Sequence, residues 1–195
     1  MKCTAAGVVL ARVQQQAKMQ VCPGSLLIAN PAWAYQEQQG NVVYITESTD
    51  ASTMGLILNS GDSYSMSDLL SQKGISWPWS TQIGIGGDYS PTCLIMLHSN
   101  DWYSSNTMPV DKQYSISSDG VMLEKLEDGN APDWFKMFIG TSGWTPNELE
   151  QELRADKPKW LLLTNPSYEV INASPLVMWN TAIDEYSQDV FNSYF

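Results

Sequence analysis

The residue best suited to acid–base chemistry is His98, the single histidine in the chain of 195 residues. Its side chain is the one candidate general base whose unperturbed pKa lies near neutrality. His98 ends the apolar run at residues 93–98 and precedes Ser99, which lacks the G-x-S-x-G surroundings of a hydrolase nucleophile. A catalytic role and a hydrogen-bonded structural role both remain open for His98, and the apolar run favours the structural one.

Glycines provide a second candidate feature, because residues 84–87 read GIGG. Glycines in this arrangement can form the start of a phosphate-binding loop. Tyr89 stands where a dinucleotide-binding loop has its third glycine, and no Lys-Ser or Lys-Thr follows as in a P-loop. We therefore interpret the double glycine as a tight turn that requires positive φ. The alternative is a small-molecule pocket, for which the candidate residues are Gly86, Gly87, His98, Gly143 and Trp144.

The other reactive side chains do not form a recognisable catalytic or metal site. Glu148 is explained by helix capping, and Glu150 and Glu152 are expected on a solvated helix face, so paired-carboxylate catalysis is not predicted. The three cysteines are widely spaced and form no C-x-x-C pair, which argues against a disulfide framework and a zinc site. We predict no catalytic residues, no metal and no cofactor, and a reducing compartment by default.

Aromatic residues point to a different kind of site. The chain has eight tryptophans and nine tyrosines, and several of them lie outside clear core patterns. Aromatic side chains in polar loops either cover the edge of the core or contact a protein partner. Both interpretations remain open. The candidate interface residues are Trp77, Trp79, Trp102 and Tyr103.

The charge of the chain is strongly acidic and unevenly distributed. The net charge is −11, but Lys2, Arg12 and Lys18 are the only charged residues before Glu37. Residues 1–36 therefore carry +3 and, by difference, the remainder carries −14. An acidic body repels phosphate backbones, so we expect a protein partner or a larger complex and no direct nucleic-acid binding. No apolar window approaches the roughly 18 residues of a membrane span.

The elements that must position these residues are clearest at residues 140–153, GTSGWTPNELEQEL. Residues 135–139 alternate in hydrophobicity ahead of a glycine, which predicts a strand that enters a turn. Thr145 lies three residues before Glu148, the spacing of a capping box, and Pro146 occupies the first helical position. The segment therefore predicts a strand, a glycine turn and a capped helix.

Similar patterns predict the other elements. Further strands are predicted at residues 25–29, 41–46, 55–58, 81–85, 93–98 and 160–164, and residues 36–40 form a polar break. Helices are predicted from Ser65 to just before Gly74, from Ser118 to Gly129, and from Ser174 onward. On the last of these, we expect one shared face comprising Leu176, Trp179, Asn180 and Ile183.

Short strands and short helices in irregular alternation predict a mixed α/β or α+β domain rather than a regular doubly wound sheet. No repeat, linker or low-complexity run divides the chain, so one domain is expected at residues 23–195. Residues 1–22 form either an N-terminal arm or helix, or a segment like an organelle-targeting sequence, which is typically poor in acidic residues.

With these segments identified, the chain resembles the AlgH/YqgE family of small bacterial and plastid proteins. The matching segments, in the family's order, are GSLLIANP (24–31), VVYI (42–45), TMGLILN (53–59), Gly86-Gly87, Leu97-His98, Ser104-Ser105, GTSGW (140–144), ELEQEL (148–153) and Trp179. The resemblance implies a single compact AlgH-like domain with a mixed sheet flanked by short helices. It supplies no established catalytic residues. It also implies a soluble protein, cytoplasmic in a bacterial source and plastid in an algal source.

The chain departs from the family's usual pattern at several polar positions. Thr46 and Ser48 stand where a Cys-x-His usually follows the second strand. Ser60-Gly61 replaces an Arg/Lys-Pro pair, and Asp88-Tyr89 replaces a Pro-Val pair. Because the framework glycines, the capped helix and the core strands are retained, the changes indicate either a new use of the fold or sequence drift.

Two functions follow from these observations. The first is a non-enzymatic protein-interaction or scaffold protein of AlgH-like fold, which docks through its aromatic loops as a soluble subunit of a larger assembly. The second is a small-molecule-binding regulator or weak enzyme with a pocket near Gly86, His98 and Trp144.

Overall fold

The computed structural model describes residues 20–33, 40–71 and 77–194. The predictions made for the N-terminal arm before residue 20, for the polar break at residues 36–39 and for the helix end before Gly74 lie outside the described residues.

Ten strands and five α-helices position the side chains of interest within the described residues. The strands are β1 (Leu26–Ala29), β2 (Val42–Ser48), β3 (Thr53–Ile57), β4 (Ser63–Ser65), β5 (Gln82–Ile85), β6 (Tyr89–Ser99), β7 (Met108–Pro109), β8 (Tyr114–Ser117), β9 (Phe135–Trp144) and β10 (Trp160–Leu163). The helices are α1 (Met66–Ser71), α2 (Gly120–Glu127), α3 (Pro146–Arg154), α4 (Tyr168–Asn172) and α5 (Pro175–Asn192). A short 3₁₀ helix, Pro31–Trp33, follows β1.

The strands form one mixed sheet in the order β10-β1-β2-β3-β9-β6-β8-β7, with β5 alongside β9 and β4 alongside β5. The pair β5–β9 is parallel, whereas the other pairs are antiparallel. The predicted mixed sheet with short flanking helices is confirmed.

Strand β9 organises the sheet because it pairs with three different strands. Its first part lies between β5 and β6, and its last three residues pair with β3. Gly140, with φ of +72°, lies where the strand changes partners. The sequence predicts a turn at Gly140, but the strand continues to Trp144, so the glycine produces an irregularity inside a strand rather than its end.

Helix α3 forms as the capping pattern predicts. Thr145 Oγ1 accepts a hydrogen bond from the Glu148 N–H (3.3 Å), and Glu148 Oε2 accepts one from the Thr145 N–H (3.4 Å). Leu149 and Leu153 are buried one turn apart on the face that packs against the sheet. The predicted capping box is confirmed, and it fixes where the helix begins after β9.

Two other helices differ from the predictions in detail. The N-cap of α2 is Asp119 rather than Ser118, because the Asp119 carboxylate accepts the Met122 N–H at 2.6 Å. In α5, Leu176 is 92% exposed, whereas Met178 and Ala182 are fully buried. Trp179 and Ile183 of the expected face pack against the core, whereas Leu176 and Asn180 are exposed, so the predicted face is wrong for those two residues.

The core lies on both faces of the sheet. In β1, Leu26 and Ile28 belong to the cluster that also contains Met178 and Ala182 of α5. Their neighbours in β1 point to the opposite face and join Leu149 of α3. Side chains alternate across a strand, so an apolar strand without polar positions is what burial on both faces requires.

Candidate functional site

The structure buries His98 completely in β6, between Ser115 of β8 and Phe135 of β9. His98 Nδ1 lies 2.8 Å from the Ser99 carbonyl oxygen, which can only accept, so Nδ1 carries the proton. Nε2 is then an acceptor, and the Ser117 hydroxyl, 2.9 Å away, donates to it. Burial lowers the pKa of His98 below its usual 6.5, which keeps the ring neutral at neutral pH.

The distance between Ser117 and His98 is that of a catalytic nucleophile and its general base. The surroundings of the pair, however, are not those of a catalytic site. Ser117 is 2% exposed, and its hydroxyl also shares a 2.7 Å hydrogen bond with Thr107. A backbone carbonyl orients the imidazole, where a catalytic triad uses a carboxylate. The Trp102 ring packs edge to face against the imidazole at a centroid distance of 5.2 Å. The pair therefore connects strands and loops within the core and has no access for a substrate.

Asp119 holds the loop that follows Trp102. Its Oδ1 accepts hydrogen bonds from Ser104 Oγ and the Met122 N–H, both at 2.6 Å. Its Oδ2 accepts from Ser105 Oγ and the Asn106 N–H, both at 2.7 Å. Burial opposes ionisation of Asp119, but the hydrogen bonds from the two serines and the two backbone N–H groups outweigh it and lower its pKa to about 2. The carboxylate is thus a structural tie between the loop and α2.

The double glycine is a place of close backbone approach. A Cβ on Gly86 would lie 2.3 Å from the Gly140 carbonyl oxygen, and one on Gly87 would lie 2.3 Å from the Ser142 nitrogen. Gly87 has φ of +150°, while no positive φ occurs at Gly86. The backbone of β9 fills the space that a phosphate-binding loop leaves for its ligand. Close approach is the reason for Gly86, whereas Gly87 combines close approach with the predicted positive φ.

The five candidate pocket residues do not come together. Gly86, Gly87 and Gly143 lie around the second half of β9, where a Cβ on Gly143 would lie 3.2 Å from Met54 Sδ and 3.5 Å from the Tyr89 ring. His98 is paired with Phe135 at the start of β9, and Trp144 is the last residue of that strand. Nine residues of extended chain separate these ends by about 30 Å. His98 and Trp144 therefore do not line one pocket.

The candidate interface tryptophans belong mainly to the protein interior. Trp102 is only 8% exposed, and Trp77 and Trp79 are half-buried. The indole N–H groups of Trp77, Trp79 and Trp102 donate to Thr81 Oγ1 (3.3 Å), the Leu126 carbonyl (2.8 Å) and Asn130 Oδ1 (2.9 Å). These contacts show that the three side chains cover the core around α2. Trp102 is therefore not an exposed residue of the predicted protein interface.

Tyr103 differs from its neighbour because it is 73% exposed. Lys125 Nζ lies 4.5 Å from the Tyr103 ring centroid and donates a 2.8 Å hydrogen bond to the Tyr103 carbonyl. Val121, one helical turn before Lys125, is also exposed. We refer to Tyr103 and Val121, with Lys125, as the Tyr103 surface.

A cleft lies between α3 and the β2–β3 hairpin, with a volume of about 220 Å³. Its α3 side includes Leu149, Glu150 and Leu153, and its hairpin side includes Ser48, Thr49 and Thr53. We refer to it as the α3 cleft. Ser48 occupies one of the positions that depart from the family pattern. No local pattern in the sequence indicates this cleft, because its two sides are about 100 residues apart in the chain.

Two kinds of feature are absent from the described ranges. Within residues 20–33, 40–71 and 77–194, no group of three or more His, Cys, Asp or Glu side chains is arranged to hold a metal ion. None of the helices in those ranges is long and apolar enough to cross a membrane.

Comparison with known proteins gives consistent matches. A family model described as AlgH-like matches residues 26–190. A UPF0301 protein of Shewanella denitrificans is 29% identical over 170 residues, which covers 85% of this chain and 91% of that protein. A UPF0301 protein of Brucella melitensis is 31% identical over 153 residues, covering 73% of this chain and 76% of that protein.

Two solved structures share the fold. The solution structure of AlgH from Pseudomonas aeruginosa matches with a TM-score of 0.64 and 21% identity, covering 87% of this chain and 90% of that one. The crystal structure of a protein from Corynebacterium diphtheriae matches with a TM-score of 0.66 and 18% identity, covering 85% of this chain and 87% of that one. At these identities, the likeness concerns the fold alone.

Proposed function

The chain belongs to the AlgH-like family, and from that premise we propose that it is a non-enzymatic protein-binding domain that docks on a larger assembly through the Tyr103 surface. The observation that carries this proposal is the position of Tyr103, which exposes 73% of its surface on a loop held by two independent contacts. Large aromatic side chains at a rigid surface are the residue type that dominates protein interfaces.

The rigidity of the loop lowers the entropic cost of binding. Asp119 binds the three residues after Tyr103, and Lys125 holds the carbonyl of Tyr103 itself. Because these hydrogen bonds exist within the described chain, the loop does not have to be ordered by a partner. A preordered aromatic side chain retains more of its contact energy as affinity.

The use of the polar groups supports binding rather than catalysis. His98 and Asp119 direct their side chains at partners within the fold. Glu152 likewise accepts hydrogen bonds from Trp144 and Trp160 and forms an ion pair with Lys159. A catalytic group needs a free donor or acceptor next to a space for substrate. These three side chains are instead saturated by the fold.

The net charge of −11 supports a protein partner over a nucleic acid. Phosphate backbones would be repelled by the acidic body of the chain. The Tyr103 surface combines aromatic and aliphatic groups with one ammonium group, a mixture typical of protein interfaces.

The proposal can be tested by native size fractionation of lysates from source cells that carry the full-length chain with Tyr103→Ser. We expect the wild-type chain to migrate well above its own 21.7 kDa and the variant to shift toward that mass. Tyr64→Ser is the matched control, because Tyr64 is also an exposed tyrosine (51%) but lies on β4. Unfolding midpoints of both variants should equal that of the wild type.

Two results would reject the proposal. One is migration of the wild-type chain at its own mass. The other is equal migration of wild type and Tyr103→Ser in the large complex.

A further inference from the structure

The α3 cleft is chemically distinct from the Tyr103 surface. Its apolar part comes from Val21, Leu149 and Leu153, and hydroxyl groups of Ser48 and Thr53 line the opposite side. At about 220 Å³, it is smaller than the roughly 300–1,000 Å³ of typical small-molecule pockets. Its size and mixed lining suit a few side chains of a polypeptide better than a whole metabolite.

We propose that the α3 cleft is a docking site for residues 1–19 of the same chain, held by apolar contact and by charge attraction. The inference is independent of the function proposed for the Tyr103 surface. It gives the basic N-terminal segment a binding site on its own chain.

The path of the chain supports this proposal. Gln20 and Val21, the first two residues that the structure describes, themselves line the cleft. The chain is fixed immediately afterwards, because the Gly24 N–H donates to the Ile45 carbonyl at 2.8 Å. Residue 19 is therefore attached directly at the cleft. A segment tethered at its binding site has a high effective concentration there, so weak contacts are enough for docking.

The charges in and next to the cleft also support it. Glu150 lines the cleft, and Glu47, Asp50 and Glu148 are exposed next to lining residues in the chain. Arg154 is the cation in the lining, and its guanidinium already lies 3.0 Å from Glu150. The lining itself is therefore balanced, and the excess of negative charge lies on the neighbouring exposed residues Glu47, Asp50 and Glu148.

Residues 1–19 provide the opposite charge. They contain Lys2, Arg12 and Lys18 and no acidic residue, in a chain whose remainder is strongly acidic. They also contain the apolar run at residues 5–11, together with Val13 and Met19, which can contact the leucines of α3. The segment thus carries both kinds of group that the cleft can bind.

The test is site-specific photo-crosslinking in the full-length chain. A photoreactive amino acid is placed at Thr49, an exposed lining residue, and crosslinked peptides are identified by mass spectrometry. We expect crosslinks to residues 1–19 of the same chain, with a yield that falls several-fold in high salt, because screening weakens exposed charge pairs. The matched control carries the photoreactive group at Tyr64 and should give no crosslink to that segment.

Charge variants separate this proposal from other occupants. Arg12→Glu combined with Lys18→Glu should reduce the crosslink yield several-fold, and adding Glu150→Lys should restore part of it. Mixing isotopically heavy and light chains distinguishes a second copy, which would give mixed-isotope crosslinks. Crosslinks between chains, crosslinks to another protein, or no crosslink to residues 1–19 would each overturn the proposal.

Discussion

Tyr44 donates its hydroxyl hydrogen to Asp111 Oδ2 across 2.6 Å, although the two residues are 67 positions apart in the chain. Tyr44 is fully buried in β2, where its ring meets the edge of Tyr114 at a centroid distance of 6.1 Å. The other oxygen of Asp111 accepts the N–H groups of Gln113 and Tyr114. One carboxylate therefore links the central strand β2 to the turn between β7 and β8.

Tyr44→Phe should lower the free energy of unfolding by about 1–3 kcal/mol, because it removes a buried hydrogen bond to a charged acceptor. Burial, reinforced by Asp111, raises the pKa of Tyr44 above its usual 10, so the folded state retains the neutral phenol. This contribution is complete below about pH 10 and is lost as the pH rises further. Urea unfolding of Tyr44→Phe, with Tyr64→Phe as the exposed control, measures it. Equal stability of the two variants would contradict the assignment.

His98 should make the fold sensitive to mild acid. Burial lowers the pKa of the folded imidazole below 6.5, so the unfolded chain binds a proton more readily. Its contribution is present above about pH 6.5 and is lost as the pH falls, by up to about 1.4 kcal/mol per pH unit.

The measurement is urea unfolding at about pH 7.5 and about pH 5.5. Because His98 is the sole histidine, His98→Gln should remove most of the stability change between the two pH values. If wild type and variant lose the same stability on acidification, carboxylates are responsible and the histidine is not.

Glu152 should contribute more to stability than a surface glutamate of the same helix. Its Oε2 accepts the indole N–H groups of Trp144 (3.0 Å) and Trp160 (2.7 Å), and its side chain is 18% exposed. We expect Glu152→Gln to lower the free energy of unfolding by about 1–3 kcal/mol. Glu150→Gln, which breaks an exposed ion pair, should change it by less than about 0.5 kcal/mol. Chemical denaturation compares them, and a smaller loss for Glu152→Gln than for Glu150→Gln would contradict the network.

Gly86→Ala should be strongly destabilising. Its new Cβ would lie 2.3 Å from the Gly140 carbonyl and 2.9 Å from a Leu56 methyl group, so two strands would have to separate. A loss of about 3 kcal/mol or more is expected for this overpacking. Gly61→Ala is the matched control, since no atom lies within 4 Å of its added Cβ. Thermal unfolding of the two variants would show equal midpoints if close approach were not the reason for Gly86.

Local signals predicted much of the fold. The capping box of Thr145 and Glu148 involves residues three positions apart, so its hydrogen bonds form wherever the helix lies. The same holds for Gly129, whose φ of +80° ends α2 as predicted. The apolar run at residues 93–98, which forms the second half of β6, likewise reflects burial on both faces of the sheet.

Features that depend on a distant partner could not be predicted from the sequence. Glu152 was expected on a solvated face, because nothing nearby in the sequence indicates that two tryptophans approach it. Leu176 has the spacing of a buried face together with Trp179 and Ile183, yet it is 92% exposed, because spacing along a helix does not show where the packed surface ends. The strand through Gly140 continues because β3 is available as a new partner.

The candidate functional sites also include some features that the sequence predicted and others that required the tertiary structure. The sequence alone indicated the family and the absence of a recognisable catalytic motif, since both depend on the order of residues along the chain. Only the tertiary structure decided that His98 is enclosed and far from Trp144, that Trp102 faces inward while Tyr103 faces outward, and that α3 forms a cleft with the β2–β3 hairpin. The reason is physical: exposure and enclosure are set by which strands pair, and pairing between distant segments leaves no short-range pattern in the sequence.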